Sequence, residues 1–184
     1  MTDDTSRRPA AGDEEIDERA RRIRLILMDV DGVLTDGRLY YTEGGETKVF
    51  DVRDGAGIKL AQRAGLLTGI ISGRESDATL RRAEELEMTE IHQQVPGKES
   101  AYLEIVERLG LSDEQVCYIG DDLVDIPVMK RVGLPAAPGD AHPCILPYAV
   151  LLAAAPGGRG AVREVVDRIL RAQGRWHEVT EPYL

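Results

Sequence analysis

Residues 25–32 read Leu-Ile-Leu-Met-Asp-Val-Asp-Gly, and the fold follows from how this stretch is read. Four successive apolar residues without polar alternation suit a strand buried on both faces, and the run stops at Asp29. Similar runs occupy 67–71 and 116–119, and a weaker one 148–152. Helical patterns lie between them. Tyr102, Ile105, Val106 and Leu109 fall on one face of a helix over 99–109. Val162, Val165, Val166, Ile169 and Leu170 do the same over 160–173, and 54–64 and 76–86 are helical with less contrast. Strand, helix and strand in alternation predict an α/β fold, doubly wound and Rossmann-like, whose central parallel sheet carries helices on both faces. Residues 38–50 depart from that rhythm. LYYT and TKVF flank Glu43-Gly44-Gly45-Glu46, which predicts a β-hairpin flap where a helix is usual.

The rest of the chain limits the function classes. The 184 residues contain 42% hydrophobic and 30% charged side chains, enough for one globular domain with a buried core. Asp and Glu number 33 against 23 Lys and Arg, for a net charge of -10. That surface argues against nucleic acid or a membrane as partner, while a small phosphorylated ligand remains compatible through a bound cation. Two cysteines, Cys117 and Cys144, form no CxxC pair, as expected of a reduced intracellular protein without structural zinc. Residues 1–24 are mostly charged and lack the apolar core of a signal peptide, so a cytoplasmic location is expected. The expected organisation is a partly disordered extension over 1–24 with a short surface helix in 13–24, a domain over 25–174, and a tail over 175–184.

Ligands of open parallel sheets bind beyond the carboxyl ends of the strands. Asp29 and Asp31 end the first run, Ser72-Gly73-Arg74 the second, and Gly120-Asp121-Asp122 the third, with Asp125 one turn on. Lys98 opens the helix of 99–109. Singly, each has an ordinary reading as a turn, a cap or a surface residue. Together they place a nucleophilic carboxylate, a hydroxyl, an ammonium and an acidic cluster at one sheet edge. Carboxylates so gathered repel one another unless a cation is present, and hard oxygen ligands suit Mg²⁺. Mg²⁺, lysine and serine are what a transferring phosphoryl group needs around its oxygens.

LILMDVDGVLTDG, IISGR, PGKES and YIGDDLVDIPVM resemble the four motifs of the haloacid-dehalogenase (HAD) phosphatases. VFDVRDGAGIKL, DAHP and GGRGAVREVVDRIL narrow the resemblance to the 3-deoxy-D-manno-octulosonate 8-phosphate phosphatase branch. The third motif departs from that branch, reading HQQVPGKES without its usual glycine and leucine, though the lysine is kept. The resemblance implies a HAD fold and an aspartyl-phosphate mechanism. Asp29 is then the nucleophile and Asp31 the general acid and base. Asp29, the Asp31 carbonyl and Asp121 hold Mg²⁺, Ser72 and Lys98 bind phosphate, and Asp122 and Asp125 support the metal shell or Lys98. Arg53, Arg74, Arg159 and Arg163 could meet the carboxylate of a sugar-acid phosphate, with surface or capping roles equally open to each.

Asp31 and Ser72 are 41 residues apart and Ser72 and Lys98 are 26 apart, which leaves no room for a cap domain. Closure by a neighbouring subunit is therefore expected, and the branch implies a homotetramer closed by hairpin and tail. Gly157–Gly160 could form an anion cradle, with a flexible helix start the alternative. Trp176 and His177 could form a lid element or be disordered. His92, His142 and Cys117 are expected to be structural, and residues 112–115 a turn. A nonulosonate 9-phosphate phosphatase and a non-catalytic tetramerisation module remain alternatives. A receiver domain would order its acidic residues differently.

Overall fold

The computed structural model describes residues 12–184. The mobility expected at the start of the chain falls almost entirely outside them. In chain order the elements are α1 (Asp13–Arg21), β1 (Leu25–Met28), β2 (Tyr40–Thr42), β3 (Gly45–Thr47), α2 (Val52–Arg63), β4 (Leu67–Ile71), α3 (Asp77–Glu85) and β5 (Glu90–His92). They continue as α4 (Lys98–Leu109), β6 (Val116–Ile119), α5 (Ile126–Met129), β7 (Leu134–Ala137), β8 (Leu151–Leu152), α6 (Ala161–Ala172) and α7 (Trp176–Thr180).

Six strands form a parallel sheet in the order β5-β4-β1-β6-β7-β8. Every residue of β1 is buried, and alternate residues serve opposite layers. Ile26 and Met28 pack with Ile58 and Ala61 of α2 and Val162 and Val166 of α6. Leu25 and Leu27 pack with Tyr102 and Ile105 of α4 and Val128 of α5. Both faces of β1 are buried against apolar side chains, which is why it reads as an unbroken apolar run. The chain winds from β1 outward to β5, then crosses back to start the other half at β6. Between β1 and β6 the winding reverses, and a crevice opens there.

Two strands have little signature of their own. β7 is Leu-Pro-Ala-Ala, and its proline and alanines carry no strand preference. It forms because Cys117, Tyr118 and Ile119 of β6 offer a partner edge. β5 has three residues, and Glu90 and His92 within it pair with each other. The hairpin β2–β3 is tighter than the sequence reading, with Thr42 opposite Gly45 and only Glu43 and Gly44 in the loop. The second strand begins at Gly45, whose φ of 104° suits glycine, and ends at Thr47.

Residues outside 25–174 join the same core. Ile16, Ala20 and Ile23 are buried, and Arg168 of α6 binds Asp17 at 2.8 Å. In the tail Val179 is buried, while the Trp176 ring lies under Arg171, 4.1 Å from its centroid. Gln173 donates to the Ala20 and Ile23 carbonyls, and Arg175 to that of Ala64, all near the amino ends of β1 and β4. The tail thus lies opposite the crevice of its own chain, not over it. Residues 113–115 form a short 3-10 turn in which the Gln115 side chain accepts from the Ser112 N–H at 3.1 Å. No helix among the described residues is long and apolar enough to cross a membrane.

Candidate active site

The crevice at the carboxyl end of the sheet has a volume of about 540 Å³ and is lined by Asp29, Asp31, Ser72, Lys98, Asp121 and Asp122, among others. Each strand delivers its polar residue on leaving the apolar layer. Asp29 directly follows β1, and its N–H donates to the Ile119 carbonyl at 2.9 Å, so it is still held by the sheet. Its Oδ1 accepts from the Val30 N–H at 2.7 Å. Oδ2 lies 2.7 Å from Lys98 Nζ. Ser72 follows β4, is buried, and accepts from the Arg74 N–H at 3.2 Å.

Asp125 organises this cluster. Its Oδ1 accepts from Lys98 Nζ and from the Tyr118 hydroxyl, both at 2.7 Å. Its Oδ2 accepts from the Asp121 and Asp122 N–H groups at 2.9 and 3.2 Å. Carboxylates of Asp29, Asp121 and Asp125 approach within 4.8 Å of one another, as a metal site requires. Four hydrogen bonds already occupy Asp125, which leaves Asp29 and Asp121 as the free oxygen donors. Gly32, at φ 91°, makes the close approach possible, because a Cβ there would overlap the Asp121 carboxylate.

Electrostatics shows what the site lacks without a cation. Burial pushes the Asp29 carboxyl up to about 6, although Lys98 beside it pulls the other way. Burial and the Asp29 and Asp125 carboxylates push Asp121 up to about 7. Burial acts to lower the Lys98 ammonium, yet the same two carboxylates outweigh it and leave the group raised. The donor set is oxygen-only, negatively charged and strained by its own repulsion, which fits Mg²⁺.

The four arginines are dispersed. Arg74 lines the crevice, pairs with Glu46 and stands 3.8 Å from Asp31. Arg53 is exposed, bound to Asp51 at 2.7 Å, and donates to the Arg159 carbonyl at 3.0 Å; neither Arg53 nor Arg159 lines the crevice. Arg163 holds Asp167 at 2.6 Å, away from the site. The Gly157–Gly160 loop already has its anion: Asp54 accepts from the Gly160 and Arg163 N–H groups at 3.1 and 2.8 Å and caps α6. The open alternative between cradle and helix start is thereby resolved in favour of an internal cap. Asp122 is an exposed cap whose Oδ1 accepts from the Leu123 N–H at 2.7 Å.

Sequence reading did not single out Lys48, Glu46 or Tyr118. Lys48, just beyond β3, has a side chain only 2% exposed and pairs with Asp31 and with Glu46. The hairpin is therefore clasped onto the site at Asp31 and, through Glu46, at Arg74. A phenol on a fully buried strand needs a hydrogen-bond partner, and that signal could have found Tyr118.

The chain is similar in sequence and fold to known proteins. Residues 45–133 match the haloacid dehalogenase-like hydrolase family. The 3-deoxy-D-manno-octulosonate 8-phosphate phosphatase of Escherichia coli K12 is 45% identical over 161 residues, 87% of this chain and 86% of its own. A crystal structure of the Yersinia pestis enzyme of the same name superposes with a TM-score of 0.86 at 46% identity, covering 89% of each chain. That of Moraxella catarrhalis, in complex with magnesium, phosphate and the KDO molecule, gives 0.90 at 35% identity, covering 93% of this chain and 99% of its own. The chain belongs to the haloacid dehalogenase-like hydrolases, in the 3-deoxy-D-manno-octulosonate 8-phosphate phosphatase branch, and is a phosphoric monoester hydrolase.

Proposed function

We propose that the chain hydrolyses 3-deoxy-D-manno-octulosonate 8-phosphate to 3-deoxy-D-manno-octulosonate and phosphate, in the cytoplasm, as a step of lipopolysaccharide precursor synthesis. The observation that carries the chemistry is the Asp29–Lys98 pair at 2.7 Å inside a crevice rimmed by Asp121 and Asp31. The substrate reading rests on the named activity of relatives that are 45% identical.

Asp29 attacks phosphorus and forms an aspartyl-phosphate as the sugar alkoxide leaves. Lys98 keeps Asp29 ionised and, with the Ser72 hydroxyl, holds phosphoryl oxygens. Asp31 gives its proton to the leaving oxygen, then takes one from the water that cleaves the intermediate. Asp29, the Asp31 carbonyl and Asp121 would hold Mg²⁺, which when bound neutralises phosphoryl charge and polarises phosphorus. Asp125 acts through Lys98 and the Asp121 backbone. Of Arg53, Arg74, Arg159 and Arg163, Arg74 alone lines the crevice and could meet the sugar-acid carboxylate.

Phosphate release in Mg²⁺ with the octulosonate 8-phosphate, with nonulosonate 9-phosphates and with generic esters tests this. Selective turnover of the octulosonate ester is expected, and Asp29→Asn should remove it, by at least about 10³-fold, in a protein that stays folded. Preference for a nonulosonate ester would move the substrate assignment. Near-normal activity of Asp29→Asn would overturn the mechanism.

A further inference from the structure

Beside the reaction crevice, Asp122, His142 and Cys144 each bring one ligand atom within 4.8 Å of the other two. None of the reaction steps above uses His142 or Cys144. Backbone bonds bring the groups together. The His142 N–H donates to the Asp121 carbonyl at 2.9 Å, fastening the 3-10 turn Pro143–Tyr148 to the loop after β6. Cys144 sits two residues on, its N–H donating to His142 Nδ1 at 3.3 Å and its Sγ standing 3.9 Å from Asp122 Oδ1. A tetrahedral ion with ordinary Zn–S and Zn–O bonds needs sulfur and oxygen about 3.6 Å apart, so the Cys144–Asp122 pair needs to close by a few tenths of an ångström, with the His142 nitrogen within 4.8 Å of both. The side chains of Asp122 and His142 are exposed and that of Cys144 half-buried, which leaves an entry path and room for a water as fourth ligand.

Donor chemistry separates this cluster from the crevice. Asp29 and Asp121 offer hard oxygens only, whereas imidazole and thiolate beside one carboxylate select softer ions. We propose that Asp122, His142 and Cys144 form a second metal site, distinct in its donors from the Mg²⁺ site, that takes a thiophilic divalent ion such as Zn²⁺ or Co²⁺. The Cys144 thiol gives its proton to solvent as the metal–sulfur bond forms. Because Asp122 also lines the crevice, the bound ion stands at the crevice rim. The assignment does not rest on the substrate or on the phosphatase mechanism.

Co²⁺ is the probe, since a cobalt–thiolate bond gives a near-ultraviolet charge-transfer band that oxygen-bound cobalt lacks. The full chain, freed of metal with a chelator and kept reduced with a non-thiol phosphine, is titrated with Co²⁺. Cobalt held by Asp29 and Asp121 is silent at that wavelength, and Cys117, the other thiol, is fully buried within β6. The band is expected in the native protein and absent in Cys144→Ser, an isosteric change at a partly exposed turn. His142→Ala should raise the half-saturating Co²⁺ concentration at least about tenfold. No band in the native protein, a band that survives Cys144→Ser, or unchanged saturation in His142→Ala overturns the site.

Discussion

Asp121 shows how a side chain proposed to hold the metal can oppose folding of the metal-free chain. Its carboxyl is pushed up to about 7 by burial and by Asp29 and Asp125, so ionising it costs more in the folded chain than in the unfolded one. A raised carboxyl gives its full stabilising contribution below the unfolded value near 3.8, and that contribution is lost as pH rises through the folded value. Asp29, raised to about 6, acts in the same direction. Metal-free protein is therefore expected to lose stability between about pH 4 and pH 7 from these two groups. Mg²⁺ should restore it, by binding only the folded state. Asp121→Asn should raise the metal-free stability at pH 8 by about 1–2 kcal/mol, after allowing for solvent screening of a partly exposed group. The same variant should lose turnover and the Mg²⁺-induced rise in Tm. Thermal melts with and without Mg²⁺ at pH 5 and pH 8 check the stability changes, phosphate release checks the turnover, and a destabilised metal-free Asp121→Asn would contradict the argument.

At the scale of elements, what was legible depended on how far an interaction reaches along the chain. β1 and β6 are buried throughout and β4 beyond Leu67, so their runs end where the crevice begins, and Asp29, Ser72 and Asp121 could be picked from sequence. Lys98 was visible as the first residue of a periodic helix. Lys48 was not, because its partner Asp31 lies 17 residues back and the hairpin carries no periodic core pattern. β7 was missed for the opposite reason: its stability comes from the neighbouring edge and not from its own residues. The Lys48 clasp has a kinetic consequence. With its side chain almost fully enclosed, the Lys48 ammonium holds Oδ1 of Asp31, leaves Oδ2 to carry the transferred proton, and pins the hairpin in the same contact. Lys48→Met should lower kcat/KM about 10–100-fold, the worth of one charge-assisted hydrogen bond. It should also speed limited proteolysis within 38–50, and Lys48→Arg should recover part of both. Unchanged kinetics in Lys48→Met would make the clasp structurally idle.

The whole molecule leaves its chemistry open on one side. Among the described residues no inserted domain covers the crevice, and the tail is packed at the far end of the sheet. The hairpin and the start of α2 instead expose Tyr41, Val49 and Val52 at 71%, 62% and 78%, and Val124 at the crevice rim is about as bare. Scattered apolar residues on a surface need no explanation, but a projecting hairpin that carries several beside an unroofed site has the properties of a contact surface. Aspartyl-phosphate chemistry gains from a crevice shielded from bulk water, because each ion pair in it strengthens as the dielectric falls. A neighbouring copy that sets its hairpin over the crevice would supply that cover, and any closed symmetric assembly would do so for every site. The number four comes from the resemblance to the octulosonate phosphatase branch, which implies a homotetramer, and the expected light-scattering mass is four times that of the chain. Paired Tyr41→Glu and Val49→Glu substitutions should shift the mass toward the monomer and lower kcat/KM with little change in circular dichroism, since neither side chain touches the buried core. A native protein that scatters as a monomer at assay concentration would sink this reading, as would a dissociated double variant that keeps full activity.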